Sequence, residues 1–299
     1  MSTESTSAET RPVVREWRLA RRSLPWGART LVMGVLNVTP DSFSDGGRFF
    51  DRARSLEQAE RMVEEGADIL DIGGESTRPG SADVDTEEEI RRVVPVVEAL
   101  AERVGVPLSV DTTKAGVARA ALAAGAEIVN DISGLRFEPA LAEEAARAGA
   151  GLVLMHSLGE RATLHTLPPV EDVLSEVTSS LRASVEEALR RGVARACVCV
   201  DPGFGFGKSH EQNVELLARL DEVAACFPDF PVLVGTSRKR FVGTLLGGAP
   251  VDERLHGTTA TVAAAALRGA HVVRVHDVRP AVETLKVIDA IKAAGACHP

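Results

Sequence analysis

Hydrophobic residues in this chain gather in short, near-continuous runs, and eight such runs recur between longer amphipathic stretches. They lie at 30–36, 68–72, 107–110, 127–132, 151–155, 196–200, 232–235 and 271–275, and most are built of Val, Ile and Leu. Short apolar runs without polar alternation suit strands buried on both faces of a parallel sheet. The stretches between them predict helices at 55–65, 86–103, 114–124, 139–148, 171–191 and 210–220. Two more follow at 238–246 and 253–268, and a last at 280–293. Gly66 stands just past the first helix as a C-cap. Thr86 with Glu89 reads as a capping box at the start of the second, and Pro95 predicts a kink within it. Strict alternation repeated eight times over this length predicts a (β/α)8 barrel, an α/β fold, rather than a doubly wound sheet.

One domain over 15–299 accommodates all of these elements. Residues 13–22 read as a short hairpin strand plugging the barrel floor. The opening MSTESTSAETR has neither a cationic start nor an apolar core, so no secretory signal is expected, and Glu4 and Glu9 argue against a transit peptide. Residues 1–14 read as a disordered polar tail.

Composition narrows the function classes. A hydrophobic content of 44% with 26% charged residues is ordinary for a soluble protein with a sizeable core. The net charge of −9 argues against a nucleic-acid partner, since a phosphate backbone demands a basic face. It leaves room for a small anion in a locally basic pocket. No apolar run approaches the ~20 residues of a membrane span, so no membrane partner is expected. Cys197 and Cys199, two apart in a predicted strand, face the same way and read as small buried hydrophobes. The expected compartment is the cytoplasm.

Candidate chemistry sits at the strand ends. The stretch 198–208, VCVDPGFGFGK, ends an apolar run on Asp201 and then turns on three glycines at alternate positions. Pro202 stands where a Walker A loop needs Gly, and Lys208 where the dinucleotide fingerprint needs its third Gly, so neither nucleotide loop applies. The other runs behave alike. The first ends on Asn37, the second runs into GGESTRPG at 73–80, the third ends on Asp111, the fourth on Asn130 and Asp131, the fifth on His156. The seventh runs into Ser237, Arg238 and Lys239, and the eighth carries Arg274 and His276. Taken singly, each has a plainer account: Asp111 as a helix cap, His156 as a structural histidine, Asp277 as a turn residue. Arg92 and Arg147 read as solvated helix surface. Eight polar strand ends at the face where this barrel builds its sites are harder to explain that way.

The residue types suggest the ligand. Asp111, Asn130 and Asp201 are short acceptors at an apolar mouth, costly to bury without a donor-rich partner. Lys239 neutralises one, and the surplus suits a flat heterocycle with a fork of N–H groups. Arg78, Arg274 and His276 with Asn37, Thr77 and Ser237 form a rim anion site. A heterocycle carrying a phosphorylated arm is implied. No Ser-His-Asp triad, carboxylate pair or zinc pattern is present, and His271 and His276 face opposite ways in one strand.

In this order and spacing, MGVLNVTPDSFSDGG, DIGGESTRPG, SVDT, IVNDISG, LMH, DPGFGFGK, GTSRK and RVHDV resemble the dihydropteroate synthases, over residues 33–278. The resemblance implies condensation of 6-hydroxymethyl-7,8-dihydropterin diphosphate with 4-aminobenzoate, as a homodimer through the late helices. It implies that Asp111, Asn130, Asp201 and Lys239 hold the pterin. Thr77, Arg78, Arg274 and His276 would hold the diphosphate, with Val275 also among the substrate-binding residues and Mg²⁺ on Asn37 and Asp45. Phe206, Pro79, Lys239 and Arg240 would frame the aminobenzoate. Catalysis would fall to Asp111, Lys239, Arg274 and His276, by a dissociative substitution. Two positions depart from the family pattern: Ser157 where Met is usual, bearing on pterin packing, and Arg240 where a small residue is common, bearing on how the aminobenzoate carboxylate is held. A methyltetrahydrofolate-binding methyltransferase would keep the pterin acceptors but has no need of Lys239 or the Arg-x-His rim. A silent pterin-binding module would need neither Asn37 and Asp45 nor that rim. A phosphosugar aldolase or isomerase would want a Lys or Glu base on a strand end, and Lys239 sits in a loop.

Overall fold

A computed structural model describes residues 15–38, 48–76, 83–159 and 168–296. The chain opens with an antiparallel hairpin, β1 (Arg15–Arg18) and β2 (Ser23–Trp26). Strand–helix units follow: β3 (Leu31–Asn37), α1 (Arg48–Glu64), β4 (Ile69–Gly73), α2 (Thr86–Ala101), β5 (Leu108–Asp111), α3 (Ala115–Ala124), β6 (Ile128–Asp131), α4 (Leu141–Ala148), β7 (Gly151–Met155) and α5 (Val173–Arg190). Then come β8 (Val198–Asp201), α6 (His210–Ala218), α7 (Leu220–Cys226), β9 (Leu233–Val234), α8 (Arg240–Leu245), α9 (Leu255–Leu267), β10 (Val272–Val275) and α10 (Val278–Ala296).

The eight later strands pair in parallel in the order β8-β7-β6-β5-β4-β3-β10-β9. A parallel bridge from Val200 to Val232 joins the two ends, so the sheet closes into a (β/α)8 barrel. Alternate residues on each strand divide between two cores. Outward ones such as Leu70, Ile72, Val129 and Leu154 pack under the helices. Inward ones from the lower strands, Leu31, Met33, Ile69, Ile128, Val153, Cys199, Leu233 and Val272, meet Trp17, Leu19 and Trp26 of the hairpin. The hairpin is therefore the floor plug expected from 13–22. Trp17 is fully buried, and its indole N–H donates to Cys197 O at 2.8 Å. A β-carbon at Gly151 would stand 2.6 Å from Leu19, so glycine there lets the plug reach the strand.

Several boundaries shift for physical reasons. β3, β5 and β8 reach one residue further than the apolar runs, taking Asn37, Asp111 and Asp201 into the ladder. An inward polar residue at the mouth reads as loop to a hydrophobic pattern, yet its backbone pairs like any other. The N-cap of α2 is Asp85, which accepts from Glu88 N, and not Thr86. That helix runs from Thr86 to Ala101 through Pro95. The single helix expected at 210–220 is two, split at Arg219 (φ −117°, ψ 25°), whose guanidinium bridges Glu215 and Glu222 at 2.8 Å each. Cys197 belongs to a 3₁₀ turn and packs with the outer core while Cys199 faces inward, so the two do not share a face. Both are free and buried. Among the described residues, no helix is long and apolar enough to cross a membrane. Residues 1–14 lie outside the described residues.

Candidate active site

Asp71, in the middle of β4, is fully buried and faces inward between the outward Leu70 and Ile72, level with the equally buried Ser109 of β5. Asp71 Oδ2 accepts from Arg274 Nε at 2.6 Å and from Asn130 Nδ2 at 3.0 Å. Its Oδ1 has no hydrogen-bond partner among the described residues. Arg274 also donates from Nη2 to Asp111 Oδ2 at 2.7 Å, so one guanidinium ties β10 to β4 and β5. With Nδ2 committed to Asp71, Asn130 has its carbonyl oxygen left to accept. Burial pushes the Asp111 carboxyl up to about 7 against the opposing pull of Arg274. Burial works against the Arg274 cation too, but Asp71 and Asp111 hold it above the ordinary arginine value.

Asn37, Gly73, Asp111 and Asn130 are direct neighbours across the ladder and form one level of the mouth. A β-carbon at Gly73 would stand 3.8 Å from both Asn37 Oδ1 and Asp111 Oδ2, so those two oxygens flank the same open spot.

On the opposite wall Asp201 is buried, accepting from Gly203 N at 2.7 Å. Burial raises its carboxyl to about 6, with the Gly203 hydrogen bond, Lys239 and Lys208 opposing. The turn after it needs its glycines. Gly203 has φ +70°, and a β-carbon there would lie 1.8 Å from His156 O. Phe206 and Lys239 face each other, with Nζ 4.0 Å from the ring centroid. Burial and then Arg274 lower the Lys239 ammonium to about 8, while Asp201 and Asp111 hold it up.

At the rim, Ser237 Oγ accepts from His276 N at 3.2 Å and lies 3.1 Å from Nδ1. Burial, then Arg274, Arg238 and Lys239, depress the imidazole to about 3, so it is neutral here. Arg238, held at φ +59°, makes a two-pronged ion pair with Asp277 at 2.6 and 3.0 Å, which gives Asp277 more than a turn role. A cavity of about 400 Å³ lies behind this rim, between α1 and the start of α10, and includes Arg61, Arg238, His276 and Arg279.

The mouth thus brings together Asn37, Asp111, Asn130, Asp201, Phe206, Lys239, Arg274 and His276. Arg274 sits lower than a rim anion site requires, clamped between carboxylates, and His276 beside it is uncharged. Val275 turns its side chain to the outer core, so only its backbone is open to the mouth. Arg240 is exposed at the start of α8. Asp45, Thr77, Arg78 and Pro79 lie outside the described residues. Ser157 is buried and accepts from Arg136 at 2.7 Å through both its hydroxyl and its carbonyl, bonds a methionine side chain could only half replace.

Sequence reading missed Asp71, whose one signal is a carboxylate interrupting the apolar run ILDIG. It also missed the support behind the loop after β4. There Lys114 pairs with Glu75 at 2.7 Å and with the buried Glu89. Arg92 donates to Gly74 O at 3.0 Å, so it is no freely solvated surface residue. Arg147 lies on the helix surface at 65% exposure, paired with the buried Glu144.

A family profile described as pterin binding enzyme matches residues 33–276. The dihydropteroate synthase of Synechocystis sp. is 47% identical over 266 residues, covering 89% of this chain and 91% of that protein. Among solved structures, Xanthomonas albilineans dihydropteroate synthase with 4-aminobenzoic acid superposes with a TM-score of 0.86 at 45% identity, covering 93% of this chain and 99% of that one. Burkholderia cenocepacia dihydropteroate synthase complexed with 7,8-dihydropteroate gives 0.84 at 44% identity, with 94% and 98% covered. With matches of this identity over nearly its full described length, the chain belongs to the dihydropteroate synthase family of pterin-binding enzymes.

Proposed function

We propose that this mouth condenses 6-hydroxymethyl-7,8-dihydropterin diphosphate with 4-aminobenzoate, releasing 7,8-dihydropteroate and diphosphate. The convergence of Asp111, Asn130 and Asp201 around Arg274 carries the reading. Three acceptors on two walls match the N–H fork of a pterin, and Arg274, at the level of Asp111 below the rim, can reach toward the ligand's charged arm. The aromatic amine is neutral at pH 7 and needs no strong base. The demanding step is breaking the bond between the pterin methylene and the diphosphate oxygen, which leaves with the electron pair. Arg274 and the His276–Ser237 pair stabilise the leaving charge, and Asp111 stabilises the methylene cation. The amine nitrogen then bonds to the methylene and loses its proton to water. Phe206 and Lys239, with Pro79 and the exposed Arg240, receive the aminobenzoate, and Thr77 and Arg78 assist at the diphosphate.

The oxygen donors suit Mg²⁺. Asn37 Oδ1 stands beside the same open spot as Asp111 Oδ2. A Mg²⁺ held by one or two protein oxygens and otherwise by substrate phosphates needs no larger cluster. Asn37 and Asp45 would hold it, and when bound it would neutralise charge on the diphosphate.

The exposed Leu267 of α9 and Val287 and Ile291 of α10 are an apolar surface suited to a homodimer, and sedimentation at several concentrations tests this. The free thiols of Cys197 and Cys199 accord with a cytoplasmic location.

Purified protein with the pterin diphosphate, 4-aminobenzoate and Mg²⁺ should release diphosphate only when the amine is present. Release without the amine, or none, counts against the reading. A pH dependence follows. The pterin N–H groups need Asp201 as carboxylate, and that group takes up its proton near pH 6. Affinity for a pterin should hold at neutral pH and fall about 10-fold per unit below about 6. Calorimetric titrations from pH 5 to 8 that stay flat would contradict this assignment of Asp201.

A further inference from the structure

Lys208 lies in the wall behind the proposed aminobenzoate pocket, and nothing above gives it a part. Its ammonium is threaded through the glycine turn, donating to Gly203 O at 2.7 Å and approaching Phe206 O at 3.4 Å. Its third contact is His156 Nδ1, at 2.8 Å. Burial, then the neighbouring Lys208 and Arg136 charges, push His156 down to about 2, so the ring is a neutral acceptor at Nδ1. The proton then sits on Nε2, which has no hydrogen bond and lies 3.7 Å from Glu176 Oε1. The Lys208–His156 contact thus ties the turn to the residue that follows β7.

Asn213 closes the far end of the turn, its Nδ2 donating to Lys208 O at 3.2 Å. Phe206 N donates to the same Gly203 carbonyl at 3.3 Å, and Gly205 N donates to Asn213 Oδ1 at 2.6 Å. Three of its residues adopt positive φ, a shape with few bonds of its own to resist opening. What the turn carries is Phe206, whose ring faces Lys239. Gly205 also packs on the Lys239 stem, where a β-carbon would come within 3.2 Å of Cδ. Displacing the turn therefore moves both side chains at once, while Asn130, Asp111 and Arg274 stand on other strands, and Asp201, which accepts from Gly203 N, is held in β8 by its pairing with Met155.

We propose that Lys208 is a positioning residue for the second substrate: its ammonium, gripped by His156 and the turn carbonyls, sets the Phe206–Lys239 wall that receives the aromatic amine. This rests on the function proposed above and adds a residue to it. The other charges facing the ammonium are Asp201, Lys239 and Glu176. Asp201 feels the Lys208 charge, but its bond in the turn is from Gly203 N, whereas the Lys208 ammonium bonds to His156 and the Gly203 carbonyl.

The test is steady-state diphosphate release by wild type and three variants, varying each substrate in turn. Lys208→Met should raise KM for 4-aminobenzoate about 10-fold, the scale of one charge-assisted hydrogen bond, with KM for the pterin diphosphate within about 2-fold. His156→Leu should do the same. His156→Asn, whose amide oxygen stands near the place of Nδ1, should stay close to wild type. An unchanged KM for the amine in Lys208→Met, or both KM values rising together, would overturn the proposal. Should Lys208→Met fail to fold, the histidine pair decides, and equal amine KM in the two variants overturns it. A wild type without amine-dependent release would instead overturn the function itself, a result read independently of every variant.

Discussion

Arg274→Ala should lose at least ~10²-fold in kcat/KM for diphosphate release, the usual scale for removing one charge-stabilising donor at a reacting centre. Two effects add in this variant. The leaving diphosphate loses one guanidinium. Asp71 and Asp111 also lose the cation that both contact, at 2.6 and 2.7 Å. Two inward carboxylates left together relieve their repulsion by taking up a proton, and Asp111 already sits at about 7 with Arg274 present. A protonated Asp111 stabilises the methylene cation poorly, so the deficit should deepen as pH falls from 8 to 6. Near-normal turnover in Arg274→Ala would show that the leaving group departs elsewhere.

The second large effect belongs to Asp71, which touches no substrate in the proposed scheme. Asp71→Asn keeps the shape and removes the charge. Arg274 then keeps a single carboxylate partner, and the oxygen that accepts from both Arg274 and Asn130 becomes a neutral amide oxygen, a weaker acceptor for each. Breaking a buried ion pair from one side costs about 3–5 kcal/mol, and the remaining Asp111 contact places this variant near the low end. Chemical denaturation should show that loss. Pterin affinity should fall about 10-fold, since an Asn130 held less firmly can turn over and offer N–H where the pterin needs an acceptor. A variant with wild-type midpoint and wild-type pterin binding would mean that Asp71 merely fills space.

The Asp71 case shows where sequence reading stops. A carboxylate in the run ILDIG lowers its hydrophobicity and looks like a blemish, because nothing local reveals that Arg274, 203 positions later, lies on the inward face two strands away. Lys208 is similar. It was visible as a cation after a glycine turn, but its grip on His156 depends on β7 and β8 being neighbours. The polar strand ends were legible for the opposite reason. Asn37, Asp111, Asn130 and Asp201 each close a strongly apolar run, and in a barrel every such run ends at one mouth. Placing Asn37, Asp111 and Asp201 beyond the apolar runs was an error of one residue, caused by taking polarity as the end of pairing, whereas Asn130 was already inside its strand.

The sequence by itself determined the barrel and the chemistry of its rim: strand burial on both faces writes a run of Val, Ile and Leu, helix packing writes a longer period, and strict alternation admits few topologies. Which groups act on which was settled only when the sheet closed. Register across the ladder set Asn37, Gly73, Asp111 and Asn130 on one level, and closure swung Arg274 between two carboxylates and left His276 uncharged beside it. Pairwise electrostatics depends on distances between residues far apart in the chain and on how deeply each is buried, and folding alone fixes both.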